Sequence, residues 1–104
     1  MAADSSKVAT AKQVFIKGQK AYDEGHFEEA LGLFRQAYKL TGLSDILYNI
    51  ATVADRLRHD EEALSAYERY LEEVPEAKDK EHVEGRIRIL ESSIQREKKS
   101  TSCG

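Results

Sequence analysis

Three histidines, one cysteine and three adjacent glutamate pairs are the residues of this chain with the chemistry to bind a metal or move a proton. His26, His59 and His82 lie far apart, and neither a cysteine nor a second histidine stands at ligand spacing from any of them, so no metal site is expected. His26 and His59 instead occupy equivalent turn positions 33 residues apart, which predicts solvent-facing turn residues. The pairs Glu28-Glu29, Glu61-Glu62 and Glu72-Glu73 each offer two carboxylates, the groups acid–base work would need. Neighbours on a helix point about 100° apart, however, and cannot converge on one bond. Cys103 lies in the closing run Ser100 to Gly104 with no histidine near in sequence to activate it, which favours an inert tail residue over a reactive or attachment thiol. There is no glycine-rich phosphate loop and no nucleophile elbow. The sequence therefore predicts neither an enzyme nor a cofactor.

The elements that would hold such residues are helical throughout. A first helix is predicted to start after Ser5 or Ser6, either of which can cap it, and to end at Glu24 before Gly25. Val8, Ala11, Val14/Phe15, Gly18 and Ala21/Tyr22 recur along it at helical spacing. The second helix, about Phe27 to Leu40, carries Phe27, Ala30, Leu31, Phe34, Ala37 and Tyr38 on one face. Glu28 and Glu29 in its first turn complement the helix dipole. Thr41-Gly42-Leu43 makes a turn, and Ser44 is the N-cap candidate for a third helix from Asp45 to about Leu57. That helix has an apolar stripe more continuous than the first, Ile46, Leu47, Ile50, Ala51, Ala54 and Leu57, as an element packed on both sides should. A fourth helix, about Glu61 to Glu73, shows Ala63, Leu64, Tyr67, Tyr70 and Leu71 and stops at Val74-Pro75, because proline disfavours helix in the residue before it. A fifth, about Lys78 to Arg96, has Val83, Ile87, Leu90 and Ile94 on one stripe, with Lys80, Glu84, Arg88 and Glu91 facing solvent. Disorder is expected beyond it.

The helices come in copies. Gly25-His26-Phe27-Glu28-Glu29-Ala30-Leu31 returns as Arg58-His59-Asp60-Glu61-Glu62-Ala63-Leu64, an offset of 33 residues. Phe34 returns as Tyr67, and each copy ends in a break, Gly42 or Pro75. These residues resemble the tetratricopeptide (TPR) family, whose pattern sets a Gly in the first helix, an Ala early in the second, an aromatic four residues later and a terminal Pro on a period of about 34 residues. Gly18, Ala30, Phe34 and Gly42 fill those slots in one copy, and Ala51, Ala63, Tyr67 and Pro75 in the other. The chain departs from the pattern where the family has a Trp, at Lys17 in place of a large apolar residue, and at Arg58 in place of the turn Gly. The resemblance implies an all-α, right-handed stack of two antiparallel hairpins plus a solvating C-terminal helix. Residues 1–7 form an N-terminal tail, repeat 1 covers about 11–43, repeat 2 about 44–77 and the capping helix about 78–97, within a domain of 8–97 followed by a disordered tail, 98–104.

It also implies a function. In such arrays the first helix of each hairpin lines a concave surface that binds a peptide or protein segment. Carried over by position, the groove residues are Lys12, Phe15, Gln19 and Tyr22, with Asp45, Tyr48, Asn49, Thr52, Asp55 and Arg56. Phe15, Tyr22 and Tyr48 are aromatics of the kind that dominate binding energy. The competing reading is that Phe15 and Tyr22 merely cover the core or pack on the N-terminal extension through Val8. A family clamp for carboxylate termini is not expected: Asn49 fits one slot, but Phe15 and Gln19 stand where Lys and Asn would be needed, and no third full repeat completes the set.

Composition fits a soluble binding module. At 104 residues, 34% charged and 40% hydrophobic, the chain has room for one small domain. A net charge of −3 gives no drive toward nucleic acid. The longest uncharged run, Ile46 to Ala54, is far short of the ~20 residues a membrane span needs, and the opening Met1 to Lys7 lacks the apolar core of a signal peptide. One cysteine permits no intrachain disulfide, so a cytoplasmic home is expected, with an extracytoplasmic one if the chain is cut from a longer precursor. The sequence thus predicts a non-catalytic interaction module, monomeric or weakly self-associating. The alternative is an assembly module that oligomerises through exposed hairpin ends.

Overall fold

The computed structural model describes the backbone of residues 2–103 and the side chains of residues 9–98. The chain is all-α, with five helices: α1 Ala2–Asp23, α2 Phe27–Thr41, α3 Ser44–Arg56, α4 Asp60–Glu73 and α5 Lys80–Cys103. No strand occurs among the described residues.

Both outer helices are longer than expected. α1 begins at Ala2, before Ser5 and Ser6, because no breaker interrupts residues 2–6 and alanine is the best helix former. The side chains of Ser5, Ser6 and Val8 lie outside the described ones. α5 continues through Cys103, across the stretch for which a disordered tail was expected, since neither Gly nor Pro occurs from Arg86 to Cys103. The Cys103 thiol also lies outside the described side chains. Ser44 is the first residue of α3 and not its cap; Leu43 holds the cap position and makes no side-chain capping bond. The Ser44 hydroxyl donates instead to Glu73 Oε1 at 2.6 Å, a charged acceptor that outcompetes a backbone role.

The two short turns between helices are copies in backbone as well as in sequence. His26 (φ −87°, ψ 69°) and His59 (φ −86°, ψ 71°) share one conformation, preceded by Gly25 and Arg58 at φ 83° and 64°. The same bonds close each turn: His26 N–H to Ala21 O at 2.8 Å and His59 N–H to Ala54 O at 2.9 Å. Ala30 and Ala63 N–H then donate to the His26 and His59 carbonyls, both at 2.9 Å.

Each helix packs on its neighbour in sequence, α1 on α2, α2 on α3, α3 on α4 and α4 on α5, so the core is a continuous seam along a linear stack. Val14, Gly18 and Ala21 of α1 and Leu47, Ala51 and Ala54 of α3 are buried at matching positions. α3 additionally buries Ile46, Ile50 and Val53, where the matching α1 residues Gln13, Lys17 and Lys20 are exposed. The extra set is the price of having α2 on the other side; α1 has no such neighbour, which explains Lys17. α5 closes the far end with Val83 and Leu90 fully buried and Ile87 and Ile94 half-buried, while Lys80, Arg88 and Glu91 are exposed and Glu84 is partly so. No polar or charged side chain among the described ones is buried.

Candidate functional site

Because α1 and α3 start their hairpins on the same side of α2, their outward faces border a common depression. Three abutting clefts fill it. The first, about 340 Å³, is almost wholly apolar and lies between Ala11, Lys12 and Phe15 of α1 and Leu43, Asp45, Ile46 and Asn49. The second, about 380 Å³, is bordered by Gln19, Tyr22, Asp23, Tyr48, Asn49 and Thr52, with Phe34 of α2 at its floor. The third, about 320 Å³, runs between α3 and α5 and is lined by Tyr48, Thr52, Asp55, Arg56, Tyr67, His82 and Arg86. Asn49 is shared by the first two clefts, and Tyr48 and Thr52 by the last two. The result is one trough.

All ten groove residues expected from sequence, Lys12, Phe15, Gln19, Tyr22, Asp45, Tyr48, Asn49, Thr52, Asp55 and Arg56, border it. They divide into two groups by what already holds them. Lys12, Gln19 and Asp45 are exposed on the rim. The three aromatics are half-buried and packed on other rings: Phe15 against buried Phe34 with centroids 5.3 Å apart, Tyr22 against half-buried Phe27 at 5.2 Å, and Tyr48 against buried Tyr67 and Tyr70 at 6.2 and 5.6 Å. Each therefore both packs on neighbouring rings and lines the trough. Thr52 donates to the Tyr48 carbonyl at 2.8 Å, an i to i−4 bond that fixes its rotamer.

Charge in the trough is arranged by contacts made across helices. Asp55 takes Arg86 Nε and Nη2 on its two carboxylate oxygens, both at 2.8 Å, a bidentate fork that ties α5 to α3 and pushes the Arg86 guanidinium further up in pKa. The Arg56 guanidinium lies 5.6 Å from the ring centroids of both Tyr22 and Phe27, a cation–π arrangement that holds it over the trough. Burial pushes the Tyr67 phenol up.

Sequence reasoning missed Leu43, Ile46 and Phe34, read as turn or core, and His82 and Arg86, read as part of a cap. No signal in the sequence marked Arg86, since the chain's own offset of 33 residues from Thr52 lands on Gly85. The glutamate pairs do not form a site. Glu28, Glu29, Glu61, Glu72 and Glu73 are exposed, and Glu62 is half-buried because Arg35 of α2 donates to both its oxygens, Nε at 2.7 Å, which holds its carboxyl below the usual range. His26 is exposed as expected, whereas His59 is only half-exposed and has Nε2 3.4 Å from Glu28 Oε1. Among the described residues no cluster of three metal-ligating side chains occurs, and no helix is long and apolar enough to cross a membrane. No protein-family model matches the chain, and no curated protein matches it significantly.

Proposed function

We propose that this chain is a TPR-like module of two hairpins and a capping helix that binds an extended peptide or protein segment in its trough, without catalysis, in a reducing cytoplasmic setting. The observation that carries the reading is the trough itself: half-buried aromatics from α1 and α3 form its floor, and exposed polar side chains from the same helices form its rim. Such a rim and floor resemble the anatomy of an interface, where aromatic anchors supply energy and polar edges supply register. The repetition of turn geometry at 33 residues further supports the family resemblance.

Selection of binders from a random peptide library, followed by titration, tests it. Replacing Tyr48 with Ala is expected to weaken the selected peptides about tenfold or more, as loss of a hot-spot aromatic does. Gln19→Ala, on the exposed rim, should weaken them without moving the melting temperature. If Tyr48→Ala lowers only the melting temperature and leaves affinity intact, Tyr48 belongs to the core and the trough is not the binding surface.

A second reading, assembly through hairpin ends, draws support from Leu43, which is 59% exposed at the α2–α3 turn. Ile16 and Ile89 are exposed as well, although Gln13, Lys17 and Lys20 beside Ile16 stand where α3 has Ile46, Ile50 and Val53.

A further inference from the structure

We propose that the segment bound in the trough carries an acidic side chain three or four residues from an apolar one; this rests on the trough reading above. The two ends of the trough differ in chemistry. At the first cleft Phe15, Ile46 and Leu43 surround an apolar hollow, and the only charges at its edge, Lys12 and Asp45, are opposite in sign. An aliphatic or aromatic side chain fits there. The third cleft has two guanidinium groups, Arg56 and Arg86, and the imidazole of His82 around a single carboxylate, Asp55. Asp55 is fully engaged by Nε and Nη2 of Arg86, which leaves Nη1 and its two N–H groups outside the pair. Arg56 rests on the faces of Tyr22 and Phe27, so its edge N–H groups remain for another acceptor. The lining holds two guanidinium charges against one carboxylate, with Asp60 acting on Arg86 from outside the cleft, and the fork and the stack hold the two guanidinium groups in place. A carboxylate is the partner such an arrangement favours.

The spacing follows from α3, which borders both ends. From Ile46 to the stretch Thr52–Asp55 is six to nine residues, or about 9–13 Å at a helical rise of ~1.5 Å. An extended chain covers that in roughly three to four residues at ~3.3 Å each.

Acetylated, C-terminally amidated decapeptides of otherwise neutral polar sequence, with one Leu fixed and Glu, Gln or Lys scanned at every other position, provide the probe. Amidation removes the terminal carboxylate, so any anion sensed is a side chain. The expected result is a preference for Glu over Gln of about tenfold at a spacing of three or four, with Lys weakest. That preference should fall away in Arg56→Gln, decline in His82→Ala and shrink as salt is raised. Equal binding of Glu and Gln peptides at every spacing overturns the acidic assignment but leaves the trough reading standing, provided Tyr48→Ala still weakens the Leu peptides. Binding seen only with free-acid peptides overturns it in favour of a chain terminus, and absence of binding by any peptide in either series overturns both.

Discussion

Gly18 of α1 faces Phe34 and Leu33 of α2. A methyl group there would lie 2.8 Å from Cε1 and 3.0 Å from Cδ1 of Phe34, whose ring is 2% exposed and cannot swing aside. Gly32, also inside a helix, has nothing within 4 Å of that position. Alanine favours the helix over glycine by roughly 0.5–1 kcal/mol in both cases. At Gly18 overpacking costs about 1–3 kcal/mol and wins. Gly18→Ala should therefore lower the melting temperature, and Gly32→Ala should raise it. Arg58 extends the series from the other side, because it holds φ 64° where the matching turn has Gly25. An L side chain there costs roughly 1 kcal/mol, so Arg58→Gly is expected to stabilise by about that amount in the same thermal melts. A loss of stability in Arg58→Gly would mean that the arginine side chain offsets its own backbone strain. Tyr70 supplies a pH prediction. Its phenol is pushed up to about 12, first by burial and then by the bond it donates to Asp79 Oδ1 at 3.1 Å. The folded state thus holds this proton more tightly than the unfolded chain, where a tyrosine titrates near ~10. Its contribution is fully present below pH ~10 and disappears as pH rises toward 12, so stability should fall across that window. Tyr70→Phe should lose that part of the dependence, as chemical denaturation at a series of alkaline pH values would reveal.

Among the elements, α5 decides whether the rest stays folded. It joins the stack through Val83 and Leu90, both buried, with Ile87 and Ile94 beside them, and through two polar ties, Arg86 to Asp55 and Ser93 Oγ to Asp60 Oδ2 at 2.9 Å, while Asp79, just before its first residue, accepts from Tyr70. Burying an aliphatic side chain contributes roughly 1.5–3 kcal/mol, and a typical domain has 5–15 kcal/mol in all. Ending the chain after Pro75 should unfold it or drive it to aggregate, because Tyr67 and Tyr70 of α4 would lose their cover. Ile87→Asp is expected to approach the same result. A truncated chain that melts cooperatively at an unchanged temperature would show that α5 is an appendage.

As a whole, the molecule is a row of helices in which each touches chiefly its neighbours in sequence. Stability in such a row is shared between adjacent units and depends on ends that tolerate water. Gln13, Lys17 and Lys20 of α1 and Arg88 and Glu91 of α5 make those ends mainly polar, with Ile16 and Ile89 exposed among them. Light scattering over a concentration series is therefore expected to give a constant monomer mass. A mass that climbs with concentration would favour the assembly reading, with Leu43 as the first residue to replace.

Much of this protein was written in local sequence. The 33-residue echo, Gly25, Gly42 and Pro75 located every turn, and the apolar spacing assigned each helix and most of its buried face, because both depend on backbone preference and on the period of the helix alone. The residues that border the trough from α1 and α3 came from the family resemblance rather than from local pattern, and Phe34 beneath them read as core. Only the tertiary structure decided what those faces meet. The pairing of Asp55 with Arg86, the seat of Arg56 on Tyr22 and Phe27, and the diversion of Ser44 to Glu73 join residues between 29 and 34 positions apart. Such contacts depend on how neighbouring helices are set against each other, which no local pattern encodes. For that reason α5 does more than cover the core: through His82 and Arg86 it is also a second wall of the trough.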